Sequence, residues 1–139
     1  MQEAQAKRRQ SQNDLRVLDA LRCASGPQTA YQILGQLKKH GVSGPTTVYR
    51  ALHRLVADGT VHRIEALNAY VICTHPTHGT ATTFVICELC NIVTEICDDR
   101  ISAQLRQSTR NTGIAFKAAS IEIRGTCANC LSEQPEVRI

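Results

Sequence analysis

The chain has 139 residues, 42% of them hydrophobic and 20% charged, with a net charge of +4, which suits one folded domain or two small ones. No run approaches the ~20 apolar residues that span a bilayer, and the N-terminus lacks an apolar signal core, so a cytoplasmic protein with no membrane partner is expected. In that compartment seven cysteines read as metal ligands or redox groups rather than disulfides, and a core with 4% aromatics and no Trp gains from a structural metal.

The charge is uneven. Residues 1–63 hold ten basic and four acidic side chains, and the remainder holds six and eight. A basic half joined to a mildly acidic half suggests that a polyanion meets the first half only, against the plainer reading of solvated helical faces.

Residues 1–10 read as a frayed arm. A helix is expected from near Asn13, with Leu15, Val17, Leu18 and Leu21 as its buried stripe and Gly26-Pro27 as its end. Thr29 suits the N-cap of a second helix, whose apolar positions are Tyr31, Ile33, Leu34 and Leu37; Lys38, Lys39 and His40 favour its C-terminal end and Gly41 stops it. A third helix is capped by Ser43 or Gly44, begins at Pro45 and stops at Gly59, with Val48, Leu52, Leu55 and Val56 turned inward. Its other face shows Thr46, Thr47, Tyr49, Arg50, His53 and Arg54. Short hydroxyls, a Tyr and two Arg are what a major groove accepts, although an ordinary amphipathic surface helix would look similar.

Residues 60–64 and 69–73 flank a turn at Leu67-Asn68, where Asn tolerates positive φ. A hairpin symmetric about that turn sets His62 directly opposite Cys73. Three helices and a hairpin give winged-helix order. Strands are expected at 82–86, 92–96 and 116–123, with a helix capped by Asp98-Asp99, running to about Asn111 and stopped by Gly113. Residues 135–139 read as a tail. The fold class is therefore α+β: an N-terminal winged helix-turn-helix domain over 1–73, a hinge over 74–80, and a C-terminal α/β domain over 81–139.

Two constellations carry chemistry. Cys87-Glu-Leu-Cys90 and Cys127-Ala-Asn-Cys130 supply two C-x-x-C turns, each placing two thiolates on one side of a loop. Together they complete a closed tetrahedral zinc site, which is structural because no coordination position stays open. The rival, a redox dithiol, needs one such turn at a helix start rather than two in strand-rich surroundings. The second set is His62, Cys73, His78 and Glu95, whose mixed sulfur, nitrogen and oxygen donors leave bound Zn²⁺ formally uncharged and more exchangeable. Taken singly, His62, Cys73 and Glu95 have ordinary readings: a surface His, a small buried Cys and a solvated Glu. Cys23 reads as core, His40 and His53 as non-ligands, and Cys97 as a stray ligand or reactive thiol. No nucleophile–base pair marks an enzyme, and four protein ligands leave no place for a catalytic water.

Pro45-Thr-Thr-Val-Tyr-Arg-Ala-Leu52, Gly59-Thr-Val-His62, Ala69-Tyr-Val-Ile-Cys73, Pro76-Thr-His78, Phe84-Val-Ile-Cys-Glu-Leu-Cys90, Glu95 and Gly125-Thr-Cys-Ala-Asn-Cys130 resemble the ferric uptake regulator family, and most of all its zinc-responsive branch. The resemblance implies a homodimeric, zinc-dependent transcriptional repressor of zinc-uptake genes, bound to palindromic double-stranded DNA, with two zincs per chain and no small organic ligand. It assigns Cys87, Cys90, Cys127 and Cys130 to structural zinc and His62, Cys73, His78 and Glu95 to regulatory zinc, and it matches Tyr31 and Arg50 to DNA-contacting positions. An iron- or peroxide-responsive regulator is the alternative. The iron-sensing branch usually has a His-rich run shortly before the first C-x-x-C, where this chain has Thr82-Thr-Phe-Val-Ile86. The short Cys73–His78 segment leaves His75 as a rival ligand, and Arg124 stands where some relatives carry His.

Overall fold

The computed structural model describes residues 10–74 and 81–133. His75, His78, most of the expected hinge, the N-terminal arm but for Gln10, and the 135–139 tail lie outside them. The chain divides into two compact units, one of residues 1–63 and 68–73, the other of residues 64–67 and 74–139.

The first unit contains three helices. Helix α1 (Gln12–Cys23) starts with a capping box in which the Ser11 side chain accepts from the Asp14 N–H and the Asp14 side chain accepts from the Ser11 N–H. Helix α2 (Ala30–Leu37) repeats the device with Thr29 and Gln32. Helix α3 (Pro45–Ala57) has Gly44 as N-cap and Pro45 in its first turn, where the missing N–H costs no hydrogen bond. Strands β1 (Val61–Ile64) and β2 (Ala69–Ile72) follow. Tyr70 on β2 also exchanges both backbone hydrogen bonds with Gln28, at 2.8 and 3.1 Å, so the segment before α2 extends the hairpin by one bridge. Val17, Leu18, Leu21, Ile33, Leu34, Leu37, Val48, Leu52, Leu55 and Val61 form the core.

The buried stripes differ from those expected. On α1 the buried positions are Asp14, Val17, Leu18, Ala20 and Leu21, while Leu15 is 51% exposed. The helical i, i+3, i+4, i+7 row therefore begins with an aspartate. Its carboxylate is tolerated because Arg54 of α3 donates to Oδ1 through Nε at 3.2 Å and Nη2 at 2.7 Å. On α3, Ala51 takes the buried place expected for Val56, which is exposed. Tyr31 is 70% exposed rather than packed, and Cys23 is exposed rather than core. Helix α1 ends at Cys23, ahead of Gly26-Pro27.

The hairpin register also differs. The Cys73 N–H donates to the Thr60 carbonyl at 2.9 Å, so Thr60, not His62, lies opposite Cys73. The cause is the turn, a 3-10 stretch Glu65–Leu67 followed by Asn68 at φ 47°, which is longer than a two-residue loop. A slip of two residues preserves the pleat, so His62 and Cys73 stay on one face as diagonal neighbours.

In the second unit β3 (Ala81–Cys87) lies between β4 (Val93–Ile96) and β5 (Ala119–Gly125). It runs antiparallel to β4 and parallel to β5. Thr83, Phe84, Ile86 and Cys87 of β3 are buried, as a central strand requires. Helix α4 (Asp99–Thr109), N-capped by Asp98, carries the chain across to β5, and Gly113 at φ 76° ends the following 3-10 turn. The last strand begins at Ala119, three residues later than expected, and a short helix α5 (Ala128–Glu133) follows it unanticipated.

Replacing Asp14 with Ala leaves Arg54 without its carboxylate partner over an apolar core. Removing one member of a buried pair typically costs ~3–5 kcal/mol, and Arg54 keeps 36% of its side chain in solvent, so about 3 kcal/mol is expected in urea titrations of the metal-loaded protein.

Candidate metal centre and nucleic-acid interface

The parallel pairing of β3 with β5 sets Cys87 opposite Gly125. Past Cys87 the chain reverses in a turn where the Asn91 N–H donates to the Cys87 carbonyl at 2.9 Å and Asn91 takes φ 62°. Past Gly125 it enters α5, so Cys127 and Cys130 straddle the start of a helix. The Glu88 N–H donates to the Gly125 carbonyl at 2.9 Å, tying the two segments together.

The four sulfurs converge. Cys87 and Cys130 Sγ lie 3.8 Å apart, Cys90 and Cys127 Sγ 3.8 Å, and all four fall within 4.8 Å of one another. Four thiolates about 2.3 Å from a tetrahedral zinc stand roughly 3.8 Å from each other. The residues fit that ion in donor type and in spacing, and a fourfold sulfur shell is a closed one.

The electrostatics show what a cation would correct. The Cys127 N–H, 3.3 Å from the Cys87 sulfur, and the Cys90 N–H hold the Cys87 thiol down at about 6. Its hydrogen-bonding neighbour Cys127, and then burial, push Cys130 up to about 12. One thiolate forms easily, and Cys90 and Cys130 then resist ionising. A divalent ion is what lets all four ionise together.

In the first unit, half-buried His62 and Cys73 share one face of the hairpin, with a ring nitrogen and the sulfur within 4.8 Å. In the second, Glu95 of β4 pairs with Phe84 of β3, and its carboxylate accepts from the Thr74 hydroxyl at 3.0 Å. Their expected companion His78 is outside the described residues.

The exposed face of α3 presents Thr46, Tyr49, Arg50 and His53, with Thr47 half-buried. Tyr31 on α2 is exposed as well. Arg54, expected on the DNA-facing side, has its guanidinium engaged by Asp14 at 2.7 Å. The signal was present as Ser11-Gln-Asn-Asp14, a capping pattern that puts Asp14 at the start of the buried stripe.

A profile of the Ferric uptake regulator family matches residues 6–124. The Zinc uptake regulation protein of Escherichia coli (strain K12) is 34% identical over 132 residues, 92% of this chain and 76% of that protein. That of Mycobacterium tuberculosis (strain CDC 1551 / Oshkosh) is 28% identical over 109 residues, covering 76% of this chain and 81% of the relative. Among solved structures, a Zinc Uptake Regulator complexed with zinc and DNA is 32% identical with a TM-score of 0.82, over 95% of this chain and 89% of its own. The holo form of XcZur is 34% identical with a TM-score of 0.80, over 89% and 87%.

In metal-stripped protein near pH 7.5, competitive alkylation followed by peptide mass spectrometry is expected to modify Cys130 more slowly than the exposed Cys90, because the Cys130 thiol is pushed up to about 12. Added zinc should then protect all four cysteines together.

Proposed function

This chain belongs to the ferric uptake regulator family, and from that premise we propose that it is a zinc-dependent repressor that silences zinc-uptake genes. The family's members are transcriptional regulators, not enzymes. The observation that carries the zinc-specific reading is the likeness, over nearly the whole chain, to a zinc uptake regulator complexed with zinc and DNA.

In this reading each chain holds two zincs. Cys87, Cys90, Cys127 and Cys130 keep the structural one, whose four thiolates leave the site with net charge −2 and hold the ion tightly. His62, Cys73, His78 and Glu95 hold the regulatory one, where a thiolate and a carboxylate just balance the ion, so exchange is easier. Zinc supplies the crosslink among those four side chains. The half-buried His62–Cys73 pair on the hairpin and the Glu95 carboxylate steadied by Thr74 support the assignment.

The ligands come from three parts of the chain. His62 and Cys73 belong to a winged-helix domain over residues 1–73, His78 to a hinge over 74–80, and Glu95 to a dimerisation domain over 81–139. Two chains pair through that last domain, and their α3 helices enter major grooves of a palindromic operator about one turn, ~34 Å, apart. Arg50 reads bases, while Tyr31, Thr46, Thr47 and Tyr49 position the backbone. Arg54 reaches DNA only with the part of its guanidinium that Asp14 leaves available. If zinc favours the DNA-competent arrangement, DNA must raise zinc affinity by the same factor.

The test is duplex affinity against free zinc for wild type and Cys73→Ser, using duplexes selected by the zinc-loaded wild type from a random library. Cys73→Ser should keep one zinc per chain by elemental analysis and lose at least ~10-fold of the zinc response, a coupling of about 1.4 kcal/mol. Equal zinc dependence in both proteins removes Cys73 from the switch, and tight binding by wild type without labile metal defeats the reading.

A further inference from the structure

The exposed face of α3 does not end at the helix. Tyr49, Arg50, His53 and Arg54 line a groove of about 690 Å³ whose opposite wall is Arg63 and Asn68 of the hairpin. Arg63 is exposed on β1, and its Nη2 donates to the Asn68 Oδ1 at 3.0 Å. Asn68 sits at φ 47°, a conformation Asn tolerates better than most side chains, so one residue supplies both the turn and the acceptor that orients the guanidinium. Three arginines and a histidine line the groove, and no acidic side chain does. A duplex lying on α3 therefore meets Arg63 beside it, at a polyanion's backbone rather than at the base edges under the helix.

We propose that Arg63 is a further DNA contact of this chain, a phosphate clamp on the duplex flanking the bases that face α3, with Asn68 as its positioning residue. The assignment rests on the DNA-binding reading above. It adds a sequence-independent hold to the base-reading helix. Arg63 also projects from the opposite face of β1 to its neighbour His62. One strand thus offers a DNA contact on one side and a metal-ligand candidate on the other.

The experiment uses full-length, zinc-loaded protein with two probes, a duplex selected from a random library by the wild type and a mixed-sequence duplex. Binding is measured against salt concentration for wild type, Arg63→Gln and Arg63→Lys. Arg63→Gln should bind both probes about 3- to 10-fold more weakly, with the log–log salt slope reduced by about 1, and Arg63→Lys should restore the slope. Phosphate-ethylation interference on wild type should show a blocked position outside the bases protected by α3, and Arg63→Gln should relieve it; this readout does not depend on the variant's stability alone. Wild-type affinity and slope in Arg63→Gln overturn the clamp alone. A loss confined to the selected duplex with an unchanged slope also overturns it, because that marks base reading. Failure of the wild type to bind either probe with zinc overturns the clamp together with the DNA-binding reading, and so is told apart from the other two results.

Discussion

The second unit depends on the parallel pairing of β3 with β5. These strands are far apart in sequence, and their register sets Cys87 against Gly125. That alignment brings two C-x-x-C turns to the same end of the sheet, with sulfurs 3.8 Å apart in two pairs. A three-stranded sheet with so few aromatics has limited apolar area to bury, and a zinc ion at four thiolates would supply on the order of 10 kcal/mol toward ordering both turns. The constraint also works in reverse: without the sheet register, the two turns are separate loops that share nothing.

The first unit solves a different problem, holding a basic helix at a fixed angle on a small core. Apolar packing of Val48, Ala51, Leu52 and Leu55 seats α3. Packing alone permits sliding along the helix axis, since one aliphatic contact replaces another at little cost. The Asp14–Arg54 pair, made through two guanidinium nitrogens, does not permit it. The same carboxylate closes the capping box of α1, so the start of one helix and the last turn of another are fixed by a single side chain.

Local chemistry was legible in the sequence. Thr29, Pro45, Asp98 and Gly113 punctuate the helices where their side chains and dihedrals say they should. The cysteine quartet was legible because spacing alone limits which thiols can meet. What was missed is of two kinds: a burial set by a distant partner, and turns or short helices without a periodic signal. Leu15 was expected in the α1 stripe because hydrophobic periodicity has no place for an aspartate whose partner lies 40 residues away. Val56 was expected in the inward stripe, yet it is 39% exposed while small Ala51 is fully buried. The hairpin register was missed because a 3-10 turn replaced a two-residue loop. Helix α5 is six residues long, too short for a periodic signal to declare itself.

The order in which the chain is made adds a last consequence. Residues 10–73 contain every core contact of the first unit, so that unit can fold while later residues are still being added. The second unit cannot close until Cys130 has left the ribosome, because β3 waits for a strand made almost forty residues later. For that interval Phe84 and Ile86 lack their β5 neighbours, while the helices and hairpin strands of the first unit have already been made.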